Sequence, residues 1–326
     1  MNKSKRLQTI DGESLMSIPL TPLNFVVDTL LSQGLHILAG SPKVGKSWLA
    51  LWLCLCVAKG ESVWDFSATK GTVLYLCLED SLTRIQNRLF QITEDAPDTL
   101  HFTTLAGSIG GGLEDQLKGF LTEHPGTVLV VIDTLQKVRE SGNEKCSYAS
   151  DYEIISKLKS LAEKLRICLL LVHHTRKQQA EDRFDMISGT NGLLGCADGA
   201  LILQKEFRTA KTATLDISGR DQQDQRLYLS RDEQTLAWNL ERQETELWNA
   251  PPDPVLSAVA SLVTPENEKW CGSSTELAAA LGTEMKPNAL SMRLNIRAAK
   301  LEQDYHIRYE SIRTHAGRQI ILTYLR

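Results

Sequence analysis

The sequence lacks several features that would point away from an ordinary soluble globular protein. None of its seven cysteines forms a Cys-x-x-Cys pair, so we expect reduced core thiols and neither a zinc site nor a disulfide framework. The longest apolar run, Trp48–Ala58, is too short to cross a bilayer. Met1–Leu20 contains no apolar core of signal-peptide length. The net charge of −4 gives no general attraction to nucleic acid or acidic membranes. We therefore expect a cytoplasmic protein without a membrane partner.

Short apolar runs alternate with helical patterns from Gly34 to His173. The runs are Leu35–Leu38, Val73–Leu78, Val128–Ile132 and Ile167–Val172, and the helical patterns are Lys46–Lys59, Ser81–Ile92, Leu113–Glu123 and Tyr148–Leu165. Strands without polar alternation are buried on both faces, which is typical of a parallel sheet. The later runs have no helices between them: Leu201–Gln204, Thr212–Ile217, Arg226–Ser230 and Thr235–Asn239. We predict an α/β fold with a mostly parallel sheet and an antiparallel extension at one edge.

A proline-rich break divides the chain near its end. We predict a tail at 1–18, an α/β domain at 19–248, a linker at 249–254 and a small domain at 255–326. In the small domain the expected order is three helices and a hairpin: Val255–Val263, a helix opened by the capping box Ser273–Glu276, a helix from Pro287 to about Glu302, then Ile307–Ile312 and Gln319–Leu325. This is the order of a winged helix.

The strongest chemical signal is Gly40-x-x-x-x-Gly45-Lys46-Ser47, which follows an apolar strand and opens a helix. Its glycines let backbone N–H groups turn around a β-phosphate, and the helix N-terminus favours the same anion. Lys46 is expected to reach the β- and γ-phosphates, and Ser47 to ligate Mg²⁺. The alternative is a chance glycine turn. We predict that a nucleoside triphosphate such as ATP binds with Mg²⁺ at Gly40, Ser41, Pro42, Lys43, Val44, Gly45, Lys46, Ser47 and Trp48.

Two carboxylates follow neighbouring strands of the predicted sheet. Asp133 ends the run Val128–Ile132 and would hold Mg²⁺ through its water shell. Glu79 could orient the attacking water as a general base. In the alternative reading, Asp133 caps the next helix, and Glu79 or Asp80 caps the helix from Ser81. Both roles can coexist, with Asp80 capping and Glu79 catalytic.

Two further positions suit contact with a γ-phosphate. His173 and His174 end the strand Ile167–Val172. His174 is the better candidate for the phosphate and His173 for a structural role, the alternative being a surface pair without function. Arg220 follows a strand end and could reach the nucleotide of a neighbouring subunit, with Arg208 as its rival.

In this order the parts resemble the RecA-like P-loop ATPases, and among them the RepA-type hexameric replicative helicases of plasmids, phages and integrative elements. The resemblance covers about Pro19–Leu240 and rests on Gly34–Ser47, Val73–Asp80, Val130–Thr134, Val172–His174, Gly189–Asp198 and Ser218–Asp221. It implies that Glu79 is the catalytic carboxylate, His174 the γ-phosphate sensor and Arg220 a finger acting in trans. It also implies a ring, usually a hexamer, with ATP between subunits.

Two regions are candidates for DNA contact. The resemblance places the loop Arg176–Gly189 in the ring channel, where single-stranded DNA would meet Arg176, Lys177 and Arg183. Acidic residues nearly cancel the charge of this loop, so a solvated loop is the alternative. Residues 286–326 carry eight basic and three acidic side chains. Arg293, Arg297 and Lys300 share one helix face there and could bind duplex DNA. A winged helix can equally dock a protein.

The leading hypothesis is an ATP-hydrolysing RecA-like ring that acts on DNA as a replicative helicase or a motor or loader of a mobile element or phage. The alternative is an ATP-dependent regulatory switch or recombination mediator that controls a protein partner without helicase activity. A third hypothesis is a sequence-specific DNA-binding regulator that uses ATP only to assemble.

Overall fold

The computed structural model describes residues 9–19, 23–139, 148–175, 183–187, 191–245, 253–314 and 317–325. Its contacts divide the chain into a larger unit, Leu23–Leu247, and a smaller unit that joins Met1–Pro22 to Trp248–Arg326. The stretch predicted to be a tail contains a helix, α1 (Gly12–Ser17), whose N-cap is Asp11. The Asp11 carboxylate accepts hydrogen bonds from the backbone N–H and the hydroxyl of Ser14. None of the helices within these ranges has the length and apolar character needed to cross a membrane.

The larger unit is an α/β sandwich around a nine-stranded sheet. Its strands in chain order are the small hairpin β1 (Phe25–Val27) and β2 (Leu31–Ser32), then β3 (Gly34–Gly40), β4 (Thr72–Cys77), β5 (Leu100–Thr103), β6 (Thr127–Asp133), β7 (Cys168–His174), β8 (Gly199–Gln204), β9 (Thr212–Gly219), β10 (Gln225–Arg231) and β11 (Trp238–Thr245). Its helices are α2 (Lys46–Lys59), α3 (Leu82–Ile92), α4 (Leu113–Glu123), α5 (Leu135–Val138), α6 (Tyr148–Leu165) and α7 (Asn191–Cys196), with a 3₁₀ turn at Arg183–Met186.

The sheet order is β11-β10-β9-β8-β3-β7-β6-β4-β5. Strands β8, β3, β7, β6, β4 and β5 are parallel, and β9, β10 and β11 continue the sheet antiparallel. The predicted α/β fold with an antiparallel edge is confirmed. Because the central strands are parallel, their carboxyl ends lie side by side along one border of the sheet. We call this border, which runs across the strands, the P-loop edge.

The sheet buries both of its faces, as the continuous apolar runs indicated. All seven residues of β3 are buried. The apolar helix α2 covers one face, and α4, α6 and α7 cover the other, so each face has its own core. Burial on both sides fixes the strand positions, and with them the residues at the strand tips.

Two strands of the nine-stranded sheet differ from the predicted ones. The edge strand β5 was not predicted because its four residues include His101 and Thr103 and show no apolar run. The last predicted strand, Thr235–Asn239, is present with different bounds: the chain turns at Asp232, whose carboxylate accepts the N–H groups of Gln234 and Thr235, and β11 runs from Trp238 to Thr245. A side-chain turn thus replaces the start of the expected strand.

The smaller unit contains, after α1, α8 (Pro254–Leu262), β12 (Lys269–Ser273), α9 (Ser274–Ala280), α10 (Pro287–Tyr305), β13 (Ile307–Thr314) and β14 (Gly317–Tyr324). The sheet is antiparallel with the order β12-β14-β13. The predicted capping box is present: Ser273 accepts from the N–H of Glu276, whose carboxylate accepts from the N–H of Ser273. Helix α1 packs against α10. Of the predicted linker, residues 249–252 lie outside the described residues, and Asp253 caps α8.

His36 makes the stability of this fold pH-dependent. It lies fully buried in β3 with its Nε2 3.1 Å from the Ser32 hydroxyl, and burial lowers its pKa to about 4. Between pH 6.5 and 4 the unfolded chain therefore binds a proton that the folded chain excludes. The free energy of unfolding should fall as pH falls through this window, by about 3 kcal/mol in total. Urea unfolding at pH 7.5 and 5 should show a smaller loss for His36→Asn than for the wild type; equal losses would contradict this assignment.

Candidate functional site

The P-loop motif lies where β3 ends and α2 begins. Gly45 has a φ of 113°, a conformation that side chains rarely adopt. A Cβ at Gly45 would also lie 3.1 Å from the ring of Trp238. The glycine is therefore required twice, by the backbone turn and by the close approach of the indole.

Lys46 begins α2 and turns its side chain back into the loop. Its Nζ donates to the carbonyl oxygens of Gly40 at 2.8 Å and Ser41 at 3.1 Å and lies 3.3 Å from Nδ1 of His174. Burial lowers the pKa of Lys46 to about 8, against the opposing effect of the nearby carboxylates of Asp133 and Glu79. The cation therefore lies among the predicted catalytic groups.

Asp133 ends β6 and is only 5% exposed. It accepts a hydrogen bond from Ser47, and its Oδ2 accepts one from the hydroxyl of Tyr75 at 2.8 Å. Burial raises the pKa of Asp133, and these two hydrogen bonds oppose the shift. A hydroxyl beside a carboxylate is a pair of hard oxygen donors, and it fits the ligand preference of Mg²⁺.

Glu79 lies just beyond β4, next to the tip of β6. Its Oε1 accepts a hydrogen bond from the hydroxyl of Thr134 at 3.1 Å, and the carboxylate is otherwise exposed. The expectation that Asp80 caps α3 is wrong. The cap is Ser81, and Asp80 instead forms ion pairs with Arg84 and Arg88 at 2.7 and 2.6 Å. The guanidinium groups of Arg84 and Arg88 bind the Asp80 carboxylate in place of the helix N-terminus. The carboxylate of Glu79 instead accepts its hydrogen bond from Thr134.

The two histidines at the end of β7 lie in different surroundings. His173 is buried, whereas His174 is partly exposed. Burial and the nearby Lys46 cation lower the pKa of His174. The imidazole is therefore neutral at pH 7, and its Nδ1 accepts from Lys46. His174 lies on the same edge as the P-loop because Gly40 and His174 are paired across β3 and β7.

Arg220 lies at the opposite edge of the sheet. Gly219 pairs with Gly199 at the start of β8, whereas the P-loop follows the end of the parallel strand β3. The Arg220 N–H donates to the Asp198 carbonyl at 2.8 Å, and its guanidinium donates to the Gly195 carbonyl at 2.9 Å. The rival Arg208 lies in the turn after β8, on the P-loop edge. The structure therefore brings Lys46, Ser47, Asp133, Glu79 and His174 together and leaves Arg220 apart.

The candidate DNA contacts are only partly visible. Arg176 and Lys177 lie outside the described residues, as does the side chain of Arg183. In the smaller unit, Arg293 forms an ion pair with Asp253 at 3.1 Å. Arg297 and Lys300 are exposed on α10. DNA contact by these residues stays a prediction.

A column of alternating cations and indoles lies beside the P-loop. Successive members are 5.4 to 5.8 Å apart, in the order Arg88, Trp48, Arg231, Trp238 and Lys205. Burial lowers the pKa of both Arg231 and Lys205. Only Trp48 was predicted, because the other members come from distant parts of the chain and share no local pattern. The column concentrates positive charge beside the loop, which suits an anionic ligand.

Comparison with known proteins gives a family and a fold. Residues 2–180 match the family described as AAA domain. The structure is similar to the ATPase domain of the protein G40P, with a TM-score of 0.54 and 16% identity over 64% of this chain and 85% of that chain. It is also similar to a DnaB-like replicative helicase, solved with its interactions with primase, with a TM-score of 0.52 and 17% identity over 64% of this chain and 59% of that chain. The match therefore spans less than two thirds of that helicase. A search of curated proteins finds no match. Both structures support a RecA-like core.

Proposed function

This chain belongs to the AAA domain family, and we propose from that premise that it is an ATP-hydrolysing RecA-like ring protein that acts on DNA, as a replicative helicase or motor of a mobile element or phage. One observation carries the proposal. The groups for binding and hydrolysis meet at one sheet edge, while Arg220 lies at the other. A site of this kind is completed only when a second copy presents its Arg220, as a head-to-tail ring does.

The proposed chemistry assigns one task to each side chain. Lys46 stabilises charge on the β- and γ-phosphates, and Glu79 accepts a proton from the attacking water. His174 contacts the γ-phosphate, and the neighbour's Arg220 stabilises the charge that develops during transfer. Ser47 and Asp133 would hold Mg²⁺, which neutralises phosphate charge when bound.

The test of the motor is ATP hydrolysis measured with and without single-stranded DNA. We expect strong stimulation by the strand, and strand displacement that Lys46→Ala abolishes because the phosphates lose their buried cation. Lys118→Ala is the matched control, since Lys118 forms an exposed ion pair with Asp115 on α4. ATPase activity indifferent to DNA, without strand displacement, would reject the motor and favour the regulatory switch.

For the smaller unit we propose a winged helix that binds duplex DNA. The support is its element order, with α10 in the position of the recognition helix and Arg297 and Lys300 exposed on it. Arg297→Gln with Lys300→Gln should weaken duplex binding about tenfold or more at low salt, because the loss of each phosphate contact reduces the number of counterions released on binding. Arg308→Gln is the control, because it removes the same charge from β13 and not from the proposed recognition helix α10. Unchanged affinity, measured by fluorescence anisotropy, would instead favour a protein-docking role.

A further inference from the structure

Tyr75 brings a hydroxyl to the candidate site from inside the core. The residue is 2% exposed and lies on β4, four positions before Glu79. Its ring packs 6.1 Å from that of Phe102, and its hydroxyl donates to Oδ2 of Asp133 at 2.8 Å. Tyr75 lies within Val73–Asp80, one of the segments that carry the family resemblance, but nothing in the sequence marks its hydroxyl, because the residue occupies an apolar position of a buried strand.

We propose that Tyr75 is a positioning residue for the metal ligand Asp133. The inference rests on the proposed function, in which Asp133 holds Mg²⁺. A carboxylate can rotate about its last bond, and a hydrogen bond to one oxygen fixes its plane. Tyr75 supplies this bond to Oδ2, and it is a strong one because the acceptor is charged. Removing a partner that orients a ligand in this way typically lowers metal affinity by about 10- to 100-fold.

The reach of a tyrosine suits this task. Cys77 is the register partner of Asp133, and Tyr75 lies two residues earlier on the same face of β4. A hydroxyl at the end of a six-membered ring spans that diagonal, whereas serine at the same position would be too short. The ring alone would satisfy the packing of the core, since phenylalanine has the same shape. The hydroxyl is therefore the part of Tyr75 that serves the site.

A second hydrogen bond gives the arrangement a wider effect. Thr134, the residue after Asp133, donates to Glu79, which lies two residues beyond the end of β4. Two adjacent residues at the tip of β6 therefore form hydrogen bonds with neighbouring residues of the chain around β4. Asp133, the proposed metal ligand, bonds to Tyr75, and Thr134 bonds to Glu79, the proposed general base. Tyr75 and Thr134 together set the distance between the two carboxylates, and loss of the tyrosine hydroxyl should loosen the metal ligand first.

The experiment is a measurement of metal affinity that needs no turnover. Mn²⁺ serves as the probe, and its binding to the full-length protein with ADP is followed by electron paramagnetic resonance. Tyr75→Phe should weaken Mn²⁺ binding about tenfold or more. Its affinity for ADP without metal should stay within about twofold, because the phosphate-binding loop is intact. Phe102→Leu is the matched control, since it disturbs the packing of the same ring without removing a hydrogen bond.

Restoring a donor provides the complementary test. Replacement of Tyr75 by 4-aminophenylalanine keeps an N–H at the same place and should restore most of the Mn²⁺ affinity. If Tyr75→Phe binds Mn²⁺ as the wild type does, or if Phe102→Leu loses as much affinity, the inference is overturned. Should Tyr75→Phe fold poorly, 4-fluorophenylalanine at position 75 fills the space of the hydroxyl without a donor and should show the same loss of Mn²⁺ affinity; Mn²⁺ binding equal to that of the wild type would overturn the inference.

Asp133→Asn separates this inference from the function on which it rests. Loss of Mn²⁺ binding in Asp133→Asn with normal binding in Tyr75→Phe would reject only the positioning role. Normal Mn²⁺ binding in Asp133→Asn would reject the assignment of Asp133 as a metal ligand, and the proposal for Tyr75 with it.

Discussion

Glu79→Gln is expected to lower the rate of ATP hydrolysis by about 100- to 10,000-fold, the usual contribution of a positioned general base. Glutamine keeps the size of the side chain and can still accept the hydrogen bond from Thr134, so the strand tip should keep its geometry. It cannot accept a proton from water at neutral pH. Nucleotide affinity should therefore change little while kcat falls, which steady-state kinetics and equilibrium binding of a fluorescent ATP analogue would measure.

Glu94→Gln is the matched control for this experiment. Glu94 is exposed beyond the end of α3, so the same chemical change there should leave kcat unaltered. A Glu79→Gln protein that hydrolyses ATP at the wild-type rate would show that another group activates the water. Asp80 is a poor substitute for that role because two arginines already bind its carboxylate.

Arg220→Ala should produce a loss of about 1,000-fold or more in kcat, the range observed for arginine fingers. The loss should be rescued in part when Arg220→Ala subunits are mixed with inactive Lys46→Ala subunits. In a head-to-tail ring, an Arg220→Ala subunit supplies an intact P-loop and its Lys46→Ala neighbour supplies an intact arginine. Random mixing of equal amounts forms such interfaces at about a quarter of the positions.

Arg208→Ala provides the comparison for the finger, because Arg208 lies on the P-loop edge of its own subunit. If mixing rescues Arg208→Ala and not Arg220→Ala, then Arg208 is the finger that acts in trans and Arg220 is not. Rings that assemble normally, as checked by mass measurement, and yet show no rescue with Arg220→Ala would argue against action in trans.

The parts of the site that the sequence predicted are those written in continuous motifs. Gly40–Ser47 fixes a strand, a turn and a helix within eight residues, and the apolar runs before Asp133 and His174 place these residues at strand tips. A buried parallel strand has little freedom in register, so the end of its apolar run locates its last side chain.

The parts that the sequence did not predict depend on contacts between distant strands. Tyr75 meets Asp133 across 58 positions of sequence, and Trp238 lies beside Gly45 only because β11 begins at the P-loop edge. The N-cap of α3 also differs from the predicted residue. Asp80 and Ser81 are both good capping residues, and Ser81 caps the helix because Asp80 forms ion pairs with Arg84 and Arg88. Ion pairs along the helix decide this choice, and the capping propensity of a single residue does not include them.

The pairing of α1 with α10 has a consequence for biosynthesis. Ser17 ends α1 and Pro287 begins α10, so the ATPase unit is inserted into the smaller unit. During translation the ATPase unit can fold as soon as it leaves the ribosome, while α1 must wait for α10, which follows the whole ATPase unit in the chain. A ribosome stalled before residue 287 should therefore carry a folded nucleotide-binding unit with a protease-sensitive N-terminal segment. Helix α1 then joins its partner only after the ATPase unit has folded.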